Sequence, residues 1–148
     1  MIFFGAEIIT ISTKLPRTPQ GRHVSLQMLR SGTATAANYG EARGAESRSD
    51  FIHKLRVVLK ELNETAIWLQ MISKSSLLPA EHIVAIVAEN RELSRIIAAS
   101  VRTARGPKSQ MHDDTMNQTT VGNFYNVQNL FNLSLENLEI EKCEDFKI

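Results

Sequence analysis

Residues 47–72 read SRSDFIHKLRVVLKELNETAIWLQMI, and this stretch decides the fold. Ser47 and Asp50 have the S-x-x-[DE] spacing of a capping box, in which a serine hydroxyl accepts an orphan backbone N–H at a helix start. Asp is shorter than Glu, which weakens the reciprocal half of that box. Phe51, Leu55, Val58, Leu62, Thr65, Leu69 and Ile72 then recur at alternating spacings of four and three. That is the seam of a helix in a bundle, and Ile52, Leu59 and Trp68 widen it to one side.

Upstream, a first helix is expected from about Ile2 to Lys14. It stops at Leu15-Pro16, because a residue preceding proline is pushed out of the α region. Arg17 to Gly21 reads as a linker. A second helix is expected from about Arg22 to Arg43, containing Ser31-Gly32-Thr33-Ala34-Thr35-Ala36-Ala37-Asn38-Tyr39-Gly40. Gly32 and Gly40 each cost about 1 kcal/mol against Ala in a helix interior, so this uncharged run of mostly small residues is expected to admit another helix at close range. Downstream, Pro79 suits the first turn of a fourth helix. Its apolar residues are Ile83, Ile86, Val87, Leu93, Ile97 and Val101, and Gly106-Pro107 stops it. Nothing in 1–105 alternates with period two. Short loops between helices imply antiparallel neighbours, so the expected architecture is all-α, an up-down-up-down four-helix bundle over 1–105. Residues 106–148 read as an Asn-rich acidic tail, disordered in its first half.

Composition excludes several classes. No apolar run approaches the roughly 18–20 residues of a membrane span. The N-terminal segment lacks a basic start and carries Glu7, so no signal peptide is expected. The single cysteine, Cys143, forms neither an internal disulfide nor a Cys-rich zinc site; the expected compartment is the cytoplasm. Aromatics at 6% are too few for a sheet that stacks bases on several exposed rings. Residues 1–107 hold 14 Lys+Arg against 9 Asp+Glu, a net +5, whereas 108–148 hold 3 against 7, a net −4. The whole-chain charge of +1 therefore describes neither part.

Chemistry-bearing motifs are sparse. Asp50 and His53 form one D-x-x-H pair, where a di-iron bundle needs two such pairs and further carboxylates, all pointing inward; His53 faces away from the seam. Glu41, Glu46, Glu61 and Glu64 read as solvated helix formers, with Glu64 placed to pair with Lys60 at i−4. No nucleophile elbow, phosphate loop or dinucleotide fingerprint is present. The expectation is a non-enzyme with no metal and no cofactor. The basic residues remain. Arg30 and Arg43 flank the small-residue run, while Arg48, Lys54, Arg56 and Lys60 cluster early in the third helix, and these six are the candidate phosphate-binding residues. Arg91, Arg95, Arg102 and Arg105 fall along the fourth helix. Trp68 reads either as core or as an anchor between subunits, and Tyr39 is the second candidate interface residue. Asn90 is a polar residue in an apolar seam, of the kind that fixes register.

Met28 to Thr33, Ala37 to Leu55, Leu59-Lys60-Glu61 and Glu64 to Leu69 together resemble a known family. It is the four-helix-bundle proteins first named for open reading frames in intervening sequences of bacterial 23S ribosomal RNA genes. Its pattern reads approximately LLRSGTS-x-x-ANY-x-EA, ESR-x-DFIHK and LKE-x-x-ET-x-x-WL, and Ala34 is a mild departure from it. The resemblance spans about residues 5–75 closely and 76–105 loosely, and does not reach 106–148. It implies a homopentameric ring of bundles with no assigned reaction and a suspected role in RNA or other nucleic-acid binding. A relative in fold is the basic pentameric accessory protein of diversity-generating retroelements. The expected function is a non-enzymatic homo-oligomer that binds RNA through Arg/Lys faces. The alternative is a protein-interaction scaffold, in which the acidic tail docks on the basic bundle.

Overall fold

A computed structural model describes residues 1–106. Four helices follow one another: α1 (Ile2–Lys14), α2 (Pro19–Arg43), α3 (Arg48–Lys74) and α4 (Val84–Arg105), with a single 3-10 turn at Ala80–His82 before the last. There is no strand among the described residues.

Local chemistry sets each boundary. α1 ends at Leu15, which takes an extended conformation (φ −64°, ψ 143°) before Pro16, as a pre-proline residue should. α2 begins three residues earlier than the sequence suggests. Thr18 Oγ1 accepts the Gly21 N–H at 3.1 Å, and Pro19 occupies the first turn, where its missing N–H costs nothing. The segment that reads as a linker is thus mostly the capped start of a helix. Gly21 is required there, since a Cβ would lie 2.0 Å from the Pro16 carbonyl oxygen.

At the start of α3, Ser47 Oγ accepts from Asp50 N at 3.1 Å. The Asp50 carboxylate reaches back to Glu46 N at 3.4 Å, one residue beyond the expected partner. α3 ends in a Schellman turn: Leu77 N–H donates to Ile72 O at 3.2 Å and Ser76 N–H to Ser73 O at 3.3 Å, with Ser76 at φ +52°. Pro79 does not enter α4 as expected. It precedes the 3-10 turn, and α4 starts five residues later.

Side-chain partners establish an antiparallel arrangement across each consecutive pair. Between α1 and α2, Gly5 meets Ala36, Ile8 meets Gly32, and Ser25 Oγ donates to Ser12 O at 3.0 Å. Between α2 and α3, Ser31 meets Thr65 and Glu41 meets Lys54. Between α3 and α4, Arg48 reaches Ala104 and Asn90 reaches Leu62. In every case the partner number falls as the other rises, so the chain runs up-down-up-down. α1 closes the bundle by packing mainly on α2 and lightly on α4.

All seven seam residues of α3 are buried, Thr65 among them, and Ile52, Leu59 and Trp68 pack against that core from its edge. The small-residue run of α2 works at one of its two glycines. A Cβ on Gly32 would stand 2.7 Å from Ile8 Cγ2, whereas one on Gly40 would meet nothing within 4 Å.

Candidate nucleic-acid interface

The segments richest in distinctive residues face one another across α2 and α3. Ser31 and Thr65 are both fully buried, and their hydroxyl oxygens lie 2.9 Å apart. Backbone carbonyls complete the pair: Glu61 O is 2.8 Å from Thr65 Oγ1 and Gln27 O is 3.2 Å from Ser31 Oγ. Both hydroxyls are therefore satisfied within the bundle, as burial demands. One helical step outward, Arg30 Nη2 donates to Glu64 Oε1 at 3.2 Å, and the Trp68 indole N–H points to the same oxygen at 3.5 Å. Glu64 thus pairs across to Arg30 and not along its own helix to Lys60. His23 meets the Trp68 ring edge-on, with centroids 5.9 Å apart and planes at 76°. At the other end of the seam Lys54 is bound to Glu41. That ion pair, chiefly through its hydrogen bond, raises the Lys54 pKa against the smaller opposing effect of burial.

The six candidate cations consequently divide. Arg30 and Lys54 each carry a carboxylate partner. Arg48 is half-buried and its Nε donates to Ala104 O at the end of α4, a cation on the orphan carbonyls of a helix C-terminus. Gly106 lies against it at φ +71°, where a Cβ would come 2.8 Å from Arg48 Nη2. Arg43 is exposed in the last turn of α2. Arg56 and Lys60 are exposed, and neither makes an ion pair or hydrogen bond among the described residues.

Arg56 and Lys60 belong to an outward stripe of α3 that also holds Ser49, His53 and Asn63. The register that joins Arg48 to Ala104 and Leu62 to Asn90 puts Arg56 and Lys60 at the height of the middle of α4. There Arg91, Arg95 and Arg102 form the exposed face. Among the described residues only Arg95 of these three has a carboxylate, Glu92 at 3.5 Å, and an exposed pair of that length neutralises little. Arg56 and Lys60 of α3 and Arg91 and Arg102 of α4 are thus exposed without a carboxylate among the described residues, whereas Arg30 and Lys54, at the α2–α3 contact, are paired. The spacing of 91, 95 and 102 is visible in the sequence, but which α3 residues it joins depends on register.

The chain matches the family described as "23S rRNA-intervening sequence protein" over residues 2–99. The chain belongs to the 23S rRNA-intervening sequence protein family. Among solved structures, it is similar to a protein of unknown function from the S23 ribosomal protein family of Bacteroides thetaiotaomicron. The identity is 33% and the TM-score 0.65, over 69% of this chain and 94% of that one. No curated protein matches it. In this intervening-sequence protein, the motif residues Arg30, Ser31, Gly32, Glu64, Thr65 and Trp68 are accounted for by helix packing: they lock α2 to α3 and admit α1.

Tyr39, expected at an interface, is 9% exposed and sits in the chain's own core, while Trp68 is half-buried between α2 and α3. Exposed apolar side chains include three on α1, where Ile2 is 72%, Phe3 40% and Ile9 50% exposed, and also Leu26 on α2, Ile67 and Met71 on α3 and Val84 on α4. The described residues hold no group of three or more His, Cys, Asp or Glu arranged to bind a metal, and no described helix is long and apolar enough to cross a membrane. The expected tail lies outside the described residues except for Gly106.

Proposed function

We propose that the chain acts as a non-enzymatic homo-oligomer, a pentamer by family resemblance, that binds RNA in the cytoplasm through its α3–α4 side. The observation that carries this reading is the set of exposed cations on these two helices that have no carboxylate partner among the described residues: Arg56 and Lys60 from α3, with Arg91 and Arg102 from α4. Phosphate binding by such a set releases counterions and needs no base contact, so it gives affinity first and sequence preference second. Repetition around a ring raises avidity without any new contact. Arg30, Arg43, Arg48 and Lys54 then act at the margin of the surface or within the fold.

Self-association is supported by the apolar outer face of α1. Ile2, Phe3 and Ile9 give a short helix a second apolar side, and an apolar patch of that kind marks an interaction surface. The same observation favours the second reading, a scaffold that binds a protein partner and no nucleic acid. Molar mass in solution, measured together with the absorbance ratio of the freshly purified protein, separates the two. The proposal predicts an oligomer carrying nucleic acid that high salt strips away. A monomer free of nucleic acid would contradict it, and a nucleic-acid-free oligomer would favour the scaffold.

A further inference from the structure

Asn90 is a buried amide in the α4 seam whose polar group is only half used among the described residues. The residue is 3% exposed, and its Nδ2 donates to Leu62 O at 3.1 Å. No donor meets its Oδ1 among the described residues. No side-chain nitrogen or oxygen sealed from solvent lacks a partner, so this oxygen is not sealed. Asn90 lines a groove of about 210 Å³ between α3 and α4.

The groove has a floor of Ala66, Leu69 and Val87, and a rim of Asn63, Gln70 and Arg91. Asn63, Gln70 and Arg91 are exposed, and none of their side chains is engaged by another described residue. Its volume is below the roughly 300–1,000 Å³ of pockets for drug-sized ligands, which suits one planar ring. An apolar floor, a fixed acceptor and two free amides are what recognition of an unstacked base requires, since single-stranded bases are read on their Watson–Crick edges. Lys60, one turn before Asn63, and Arg91 on the rim place positive charge where the flanking phosphates would run.

We infer that the α3–α4 groove receives one unpaired nucleobase of a single-stranded RNA, with Asn90 Oδ1 accepting a hydrogen from the base's exocyclic amino group. The inference rests on the RNA-binding reading above and adds a base preference to it. Cytosine and uracil provide the cleanest comparison. Cytosine presents an amino donor at the position where uracil presents a carbonyl acceptor, and uracil would set two acceptors against each other.

The test is binding of labelled oligocytidine and oligouridine of equal length to the full chain, across a salt series. Cytidine should bind roughly tenfold more tightly, the scale of one good base contact. The exposed double variant Asn63→Ala/Gln70→Ala should reduce that ratio while keeping the salt slope. Asn90→Leu, with its helicity checked by circular dichroism, should abolish the ratio. Equal affinity for the two oligomers, or a ratio untouched by both variants, would overturn this inference and leave RNA binding standing. Absence of binding to either oligomer at low salt would instead remove the proposed function, and this inference with it.

Discussion

Gly32 and Gly40 lie in one helix eight residues apart, and replacing each with alanine should change stability unequally, with a gain at Gly40 that is cancelled or reversed at Gly32. The helix-propensity term is the same for both, a gain of about 0.8–1 kcal/mol for Ala over Gly. At Gly40 nothing opposes it, since the new methyl meets no atom within 4 Å. At Gly32 the methyl would stand 2.7 and 2.8 Å from Ile8 Cγ2 and Cγ1 and 3.1 Å from its Cβ. Ile8 is fully buried, and the clash involves the root of its side chain, so relief requires α1 to shift from α2. Overpacking of this kind costs about 1–3 kcal/mol.

Gly40→Ala should therefore stabilise by nearly 1 kcal/mol, and Gly32→Ala should range from neutral to about 2 kcal/mol destabilised. Their difference isolates the steric cost. At about 4–8 °C per kcal/mol for a domain of 60–100 residues, the two melting temperatures should separate by several degrees or more. Thermal and urea unfolding at one fixed protein concentration, which holds assembly constant, is the assay. Equal shifts of the same sign would refute the claim that α1 reaches its place by way of Gly32.

The buried hydroxyl pair predicts a coupled cost. Ser31→Ala or Thr65→Val should destabilise by about 1–2 kcal/mol each, and the double variant by less than their sum, as a double-mutant cycle on chemical denaturation would show. Arg48→Ala should lower stability by about 1 kcal/mol by uncapping α4, while changing the salt dependence of RNA binding less than Lys60→Ala does. The Lys54–Glu41 pair has a pH signature. Because Glu41 raises the lysine pKa, the contribution is complete below the unfolded value of about 10.4 and is lost as pH climbs through the raised value. Glu41→Gln should flatten that alkaline limb in a stability–pH profile and leave acid unfolding otherwise similar.

α3 is legible in the sequence because that helix packs on two neighbours and carries an unbroken apolar seam. All seven predicted positions are buried, and the same periodicity locates most of α4. The boundaries that differ share a cause. Pro19 and Pro79 are ambiguous as local signals: Thr18 capping makes the first a helix starter, and the 3-10 turn sets the second outside its helix. Gly40 stands at the unspecified position of the family pattern ANY-x-EA, which agrees with its lack of a packing role, though the run of small residues alone gives no reason to separate it from Gly32.

The candidate site is less legible because charge pairing is a property of two helices at once. Nothing local to Glu64 indicates that Arg30, 34 residues away, will outcompete Lys60, four residues away. Arg48 likewise resembles its neighbours until the end of α4 comes to rest on it. The cations of α4 are visible individually, and only the antiparallel register shows which of them stand level with Arg56 and Lys60.

The salt dependence of RNA affinity tests the central claim most directly. For a single-stranded RNA, each phosphate that the protein neutralises adds about 0.7 to the steepness of log K against log salt. Arg56→Ala/Lys60→Ala removes two cations from every subunit. It should therefore weaken binding and reduce the slope by about 1.4 for each subunit seated on the RNA, with the fold intact by circular dichroism. Wild-type affinity indifferent to salt, or a double variant with an unchanged slope, would contradict the assignment of the α3–α4 side as the RNA-binding surface.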